Sequence, residues 1–315
     1  MSAAVAPAGV WTSLAELVAL QALAHAGGIS ARQPPRSVLA GRRASRLRGR
    51  GLAFEEMREY RHGDDVRCID WRVTARTGRT HLRLYAEERE RPVLLVVDQR
   101  LGMFFGTRMQ MKSVTAAELA ALLAWQSLAA GDRVGAVVFN DGETVEIDPQ
   151  RSRGNVLRVL DGLVHFNGQL GLARPPKPDA GRLDQVLAGV ARRAATNWLV
   201  VVVSDFHGIG EATRRHVRQI ARHNDVVAAF VHDPVANDLP FGGRCVLSDG
   251  IVQADIDLGD AATRAVIGGT KTARDDFLAQ LRRELDVPCL AIDTRGQVPR
   301  QLATALGQSA ARVAA

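Results

Sequence analysis

Five apolar residues, Val93–Val97, run without a break into a carboxylate, Asp98, and the stretch "WLVVVVSD" (198–205) does the same at Asp205. An unbroken apolar run of strand length has no polar face to give to water, so it needs a cover on both sides. "RVGAVVF" (133–139), "VVAAFVHDP" (226–234) and "VPCLAID" (287–293) repeat the pattern. Helical spacing lies between them: Leu119, Leu122, Leu123 and Trp125, then Val156, Leu157, Leu160 and Leu163. It recurs in Leu183, Val186, Leu187 and Val190, in a stretch at about 211–223, and in Phe277, Leu278, Leu281 and Leu285. Buried strands alternating with amphipathic helices predict an α/β fold with a doubly wound, mostly parallel sheet. Such sheets bind ligands at the carboxyl ends of their strands, where Asp98 and Asp205 would stand.

The chain before residue 91 has a different texture. Ser13 and Glu16 form an S-x-x-E signature that predicts a short helix, closed by Gly27 and Gly28. Seven arginines and no acid fall between Arg32 and Arg50, and dense mixed charge follows from Gly51 to Glu90. We therefore divide the chain at residue 90, into an N-terminal helix, basic arm and charged segment, and a sheet domain over 91–315. Short strand-like pieces with turn signals predict a small β-rich insertion at about 235–270. A second signature, Thr115 with Glu118, is read as the start of the helix that Gly131 closes.

With 46% hydrophobic and 24% charged residues the composition is that of a globular protein. No apolar run approaches the roughly 18–20 residues that cross a bilayer, and no leader-like segment opens the chain, so a cytoplasmic location is expected. The three cysteines, Cys68, Cys245 and Cys289, lack metal-ligand spacing. No G-x-x-x-x-G-K-[ST] loop occurs, so the chain is not itself a P-loop ATPase, and no cofactor is expected. The net charge of +7 is almost all arginine, lysine being confined to Lys112, Lys177 and Lys271. The basic arm could meet phosphates, but it lacks stacking aromatics, so nucleic acid is a rival reading rather than the main one.

Two carboxylates at adjacent strand ends suggest a divalent-cation site, which needs further oxygen donors. Residues 91–310 resemble the von Willebrand factor A fold, whose pattern there is D-x-S-x-S, a later threonine and a second aspartate. Here the first element reads Asp98, Arg100, Gly102, and the loop "KPDAGRLDQ" (177–185) has no threonine, while Asp205 is kept. The resemblance therefore implies a degenerate cation site that binds no metal. Arg100 is expected to fold back onto Asp98 or Asp205 in the cation's place. Met103, Phe104 and Phe105 beside it either tuck under the sheet edge or form a contact patch.

The stretch "RLRGRGLAFEEMREYRHGDDVRCIDWRVTART" (46–77) resembles the hallmark of a bacterial domain-of-unknown-function family, number fifty-eight. The matching positions are Gly49, Gly51, Phe54, Arg58, Tyr60, Gly63, Asp64, Asp65, Arg67, Ile69, Asp70 and Trp71, with Ala53 where the pattern has glutamate. "GDRVGAVVFND" (131–141) is similar to the family's second strand. The resemblance implies a non-enzymatic partner of a MoxR-type AAA+ ATPase, acting in the maturation or activation of an unidentified client. His62, Asp64, Asp65 and Asp70 could serve a metal-dependent hydrolase, the alternative reading, but the interleaved Arg61, Arg67, Arg72 and Arg76 suit ion pairs instead. "SDFH" (204–207) holds Ser, Asp and His without a nucleophile turn. Trp71 is expected to be buried where the charged segment meets the sheet.

Overall fold

The central strand is β3 (Pro92–Asp98), in which every residue is buried. Its odd positions, Val93, Leu95 and Val97, join one apolar core, and its even positions, Leu94 and Val96, join another on the opposite face. This two-sided burial is the physical reason for an unbroken valine and leucine run. The computed structural model describes residues 9–26, 52–61, 66, 69–87, 91–170, 177–236, 243–248, 253–257 and 259–307.

In chain order the elements before β3 are α1 (Leu14–Ala26), β1 (Leu52–Glu59), α2 (Trp71–Thr77) and β2 (His81–Glu87). After β3 come α3 (Lys112–Ala129), β4 (Arg133–Phe139), β5 (Thr144–Gln150), α4 (Arg153–Gln169), α5 (Arg182–Arg193), β6 (Leu199–Ser204), α6 (Glu211–Ala221) and β7 (Asp225–His232). The chain continues with β8 (Arg244–Ser248), β9 (Gln253–Asp257), α7 (Ala261–Leu285), β10 (Cys289–Asp293) and α8 (Val298–Ala305). The main sheet has the order β10-β7-β6-β3-β4-β5. All its pairs are parallel except β4 with β5. The chain builds outward from β3 through β4 to β5, then returns to lay β6 on the other side of β3. The switch point is therefore the boundary between β3 and β6; Asp98 ends β3, and Asp205 directly follows the last residue of β6.

Residues of α1, α3, α4 and α8 share the core on one face, and those of α5, α6 and α7 share the other. The first helix belongs physically to this sheet, although it precedes the charged segment in sequence. Leu17 is fully buried in the core formed with α3 and α4, and Trp125 Nε1 donates to the Leu17 carbonyl at 3.1 Å. Its start is capped as the sequence suggests: Ser13 N donates to Glu16 Oε2 at 2.8 Å, and Glu16 N donates to Ser13 Oγ at 3.3 Å.

Three local expectations change. Thr115 does not cap α3; its N–H is already bonded to the Met111 carbonyl at 3.0 Å. The helix begins a turn earlier, at Lys112, whose N–H donates to the Phe105 carbonyl at 2.8 Å, and Ser113 and Val114 in its first turn are buried. Among the described residues of the stretch expected to be β-rich, β8 and β9 pair as antiparallel strands. From Ala261 it is helical, capped by Asp260, which accepts from Thr263 N at 2.9 Å. The edge strand β5 was not anticipated at all. Of its residues only Ile147 is buried, so it carries no apolar run.

Candidate functional site

At the end of β3 the chain turns sharply, and Arg100 folds back onto Asp98. Arg100 N donates to Asp98 Oδ1 at 3.0 Å, Nε reaches both carboxylate oxygens at 3.0 and 3.1 Å, and Nη2 reaches Oδ2 at 2.8 Å. This two-pronged geometry is the strong form of a charge-assisted contact. Asp98 is 0% exposed and Arg100 5%. Ser204, the last residue of β6, donates its hydroxyl to Asp98 Oδ2 at 2.6 Å. Arg100 Nη2 also donates to the His207 carbonyl at 3.2 Å and lies 3.9 Å from Asp205 Oδ1. Burial works against the charge on Arg100; Asp98, helped by Asp205 and Asp141, more than offsets it and holds the guanidinium's pKa above its ordinary value.

Asp205 has a second cation that the sequence did not reveal. Lys112, the first residue of α3, donates its ammonium to Asp205 Oδ2 at 2.5 Å. Burial pushes the Asp205 carboxyl up, but Lys112, Arg100 and the His207 N–H outweigh it and keep the acid below the usual carboxylate range. Asp141 was also missed: Oδ2 accepts from Leu101 N at 2.7 Å and Oδ1 from Asp179 N at 2.9 Å. It thereby joins the turn after β3 to the loop that would carry a threonine in a cation-binding relative. Phe206, between the two acids' contacts, is buried with a positive φ of 51°. Such a backbone is costly for a non-glycine residue and persists where its surroundings hold it.

A hexacoordinate cation does not fit this donor set. Both oxygens of Asp98 and both of Asp205 already accept from Arg100, Ser204, Lys112 or backbone N–H groups. At Gly102 a Cβ would lie 4.0 Å from Asp205 Oδ2, so a hydroxyl-bearing residue has room there and is absent by sequence rather than by crowding. The Asp98–Arg100 device recurs at β10: Arg295 N donates to Asp293 Oδ1 at 3.0 Å, and Arg295 Nε to Oδ2 at 2.8 Å. D-x-R after a parallel strand is thus a local self-neutralising turn in this chain. Only the Arg100 copy is buried, Arg295 keeping 69% of its side chain exposed.

Beside the switch point, the loop from Phe104 to Met111 is pinned along its length. Asp233 accepts from Thr107 N and Oγ1 at 2.7 and 2.6 Å, and the Thr294 carbonyl accepts from Met109 N and Gln110 N, both at 3.2 Å. Met103 is fully buried, whereas Phe105 is 37% and Met109 71% exposed. Lys112 Nζ lies 5.9 Å from the centre of the Phe105 ring. A firmly held loop therefore displays apolar side chains next to the cations.

The motif before the sheet is only partly described: Gly63, Asp64, Asp65 and Arg67, with His62 and Cys68, lie outside the described residues. Asp70 is the N-cap of α2, accepting from Arg72 N at 3.0 Å and Val73 N at 3.2 Å. Arg58 donates to the Glu59 carbonyl at 3.1 Å, and Tyr60 N to that of Thr80 at 2.8 Å. Trp71 is not buried against the sheet but 67% exposed. Asp70 turns toward the first amides of α2 to cap it, Trp71 at the helix start is left outside, and the buried apolar side chain of this segment is Leu82, bridged to Ile69 and 2% exposed. Trp71→Ala is therefore expected to change stability by no more than about 0.5 kcal/mol, the range for surface substitutions. Urea denaturation measures this, and a loss of several kcal/mol would return the indole to a core.

Among the described residues no group of three or more His, Cys, Asp or Glu side chains is placed to hold a metal ion. No helix of the described residues is long and apolar enough to cross a membrane. A family model described as "Protein of unknown function DUF58" matches residues 56–276, more than half of the chain. The chain belongs to this family. DUF58 is a von Willebrand factor A-like family known to associate with MoxR AAA+ ATPases, and the mostly parallel, doubly wound sheet is consistent with that fold. The DUF58 chain is 30% identical over 221 residues to the uncharacterized protein Rv1480 of Mycobacterium tuberculosis, covering 70% of this chain and 68% of that one. The uncharacterized protein Mb1516 of Mycobacterium bovis matches to the same extent. Among solved structures, the von Willebrand factor A domain of SpRpn10 superposes with a TM-score of 0.39 at 8% identity, over 69% of this chain and 95% of that one.

Proposed function

We propose that this DUF58 chain is a non-enzymatic adaptor that works with a MoxR-type AAA+ ATPase on a client protein. In this reading Asp98, Arg100, Gly102 and Asp205 are a degenerate cation site whose metal has been replaced by the chain's own Arg100 and Lys112. One observation carries the reading. The two acids at the switch point are fully engaged by internal cations, so the surface above them is held in one shape without a metal. Binding surfaces gain affinity when they are organised beforehand, because less freedom is lost on association. The exposed Phe105 and Met109 on the pinned loop supply the apolar contact that such a surface needs.

The test is a pull-down of a MoxR-type ATPase encoded beside this chain's gene. Phe105→Asp and Met109→Asp, alone and together, are expected to weaken the complex by about tenfold or more, the loss of a buried anchor costing roughly 2 kcal/mol. Mg²⁺ and chelator should leave the complex unchanged. An unaffected complex would move the interface elsewhere, with the exposed Trp71 and its arginine neighbours next to be tried. No association at micromolar concentrations would overturn the adaptor reading.

A further inference from the structure

A cavity of about 390 Å³ opens at the junction of α1, α3 and the turn after β10. Its wall combines Trp11, Glu16, Met109, Gln110 and Glu118, with Arg295 at the turn. Backbone geometry makes this junction possible. Gly9 has φ +81°, and a Cβ on it would stand 2.2 Å from the Met109 carbonyl oxygen, so only glycine lets the N-terminal stretch close so tightly on the loop.

The chemistry of the wall is lopsided. Glu16 comes from the first turn of α1 and Glu118 from the second turn of α3. Gln110 Nε2 donates to Glu118 Oε2 at 3.1 Å and to Thr115 Oγ1 at 3.0 Å, which fixes one carboxylate oxygen. The other has no hydrogen-bond partner among the described residues. Arg295 is bound to Asp293, and neither glutamate has a basic partner among the described residues. Burial pushes the Glu118 carboxyl up, Gln110 draws it partly back, and the charge of Glu16 adds to the rise. A half-buried acid, Glu118, and an exposed one, Glu16, thus line a cavity together with an indole, and a positive charge entering it would meet both. An aromatic face and a carboxylate together select a cation carried on an apolar stem.

We propose that this cavity is a binding site for a guanidinium or primary ammonium group on a narrow aliphatic stem, seated against Trp11 and neutralised by Glu118 and Glu16. The site shares Met109 with the loop beside the switch point, but it does not depend on the adaptor reading. A volume of this size is in the range of small-ligand pockets. It takes either an arginine or lysine side chain with its flanking backbone, or a small free amine.

Calorimetric titration of the full chain separates these. The probes are N-acetyl-arginine amide, the neutral isostere N-acetyl-citrulline amide, an arginine-centred tripeptide and spermidine. The arginine probe is expected to bind at least about tenfold more tightly than citrulline, since one charge-assisted hydrogen bond has that worth. Its affinity should fall as the pH is lowered, and sooner than for an ordinary carboxylate, because burial raises the Glu118 carboxyl. Glu16 and Arg295 are the other charged groups facing it, and Arg295 keeps its charge as the pH falls. Glu118→Gln preserves the shape and should lose about tenfold in affinity with an unchanged melting temperature. A tripeptide preferred over spermidine assigns the site to protein segments, and the reverse assigns it to free amines. Equal binding of arginine and citrulline, wild-type binding by Glu118→Gln, or no binding of any probe at about 10 mM would each overturn the proposal.

Discussion

Arg100→Ala is expected to destabilise the fold by about 3–5 kcal/mol, the cost of removing one partner from a buried ion pair. Asp98 would be left fully buried with the Ser204 hydroxyl and a backbone N–H as its remaining donors. A buried carboxylate that has lost its cation is expensive to keep in the folded state. Asp205 is cushioned by Lys112, which is why the effect should centre on Asp98. Guanidinium chloride unfolding monitored by circular dichroism measures the loss. A change under 1 kcal/mol would mean that water readily replaces the guanidinium, and the idea of an internal cation would fall with it. The same site allows a gain of function. Arg100→Ser with Gly102→Ser restores two hydroxyls, and there is room for the second. Mg²⁺ binding is expected to stay weak in that pair because the Lys112 ammonium still holds Asp205. Adding Lys112→Ala should raise it measurably in calorimetry. Tight Mg²⁺ binding by the unaltered chain would refute the substitution of metal by side chains.

Trp125→Ala should cost a similar amount, about 3–5 kcal/mol, as large-to-small changes in a packed core do. The indole is 1% exposed, lies in the core shared by α1, α3 and α4, and bonds the Leu17 carbonyl. Its loss opens a cavity and removes the polar tie between α1 and α3. The variant should therefore show faster amide exchange in α1 than in β3 or β6, besides a lower unfolding midpoint. Uniform exchange across the molecule would mean that α1 is held by its other contacts. The contrast with Trp71 is instructive: the same residue type predicts opposite outcomes at the two positions because burial, not identity, sets the cost.

What the sequence determined by itself is the layered architecture. Unbroken runs such as Val93–Val97 and Leu199–Val203 can exist only where both faces are covered, and helical periodicity supplies the covers. The turn at Asp98 and Arg100 is similarly local: a single residue separates acid from base, and the repeat at Asp293 and Arg295 pairs in the same way. What the tertiary structure alone decided depends on which strands become neighbours. Lys112 and Asp205 are 93 residues apart and meet only because β6 returns beside β3. The scarcity of lysine in an arginine-rich chain was the one available hint, an ammonium being the compact point charge that such a slot favours. Asp141 needs two loops to converge before its role exists. The edge strand β5 has no apolar run because one neighbour and one covered face suffice for it. Trp71 could not be placed from composition, because whether an indole is buried depends on what packs over it, and no periodicity in a seven-residue helix says so. Local pattern thus sets the layers, while the closing of distant segments on one another sets the charges at the site.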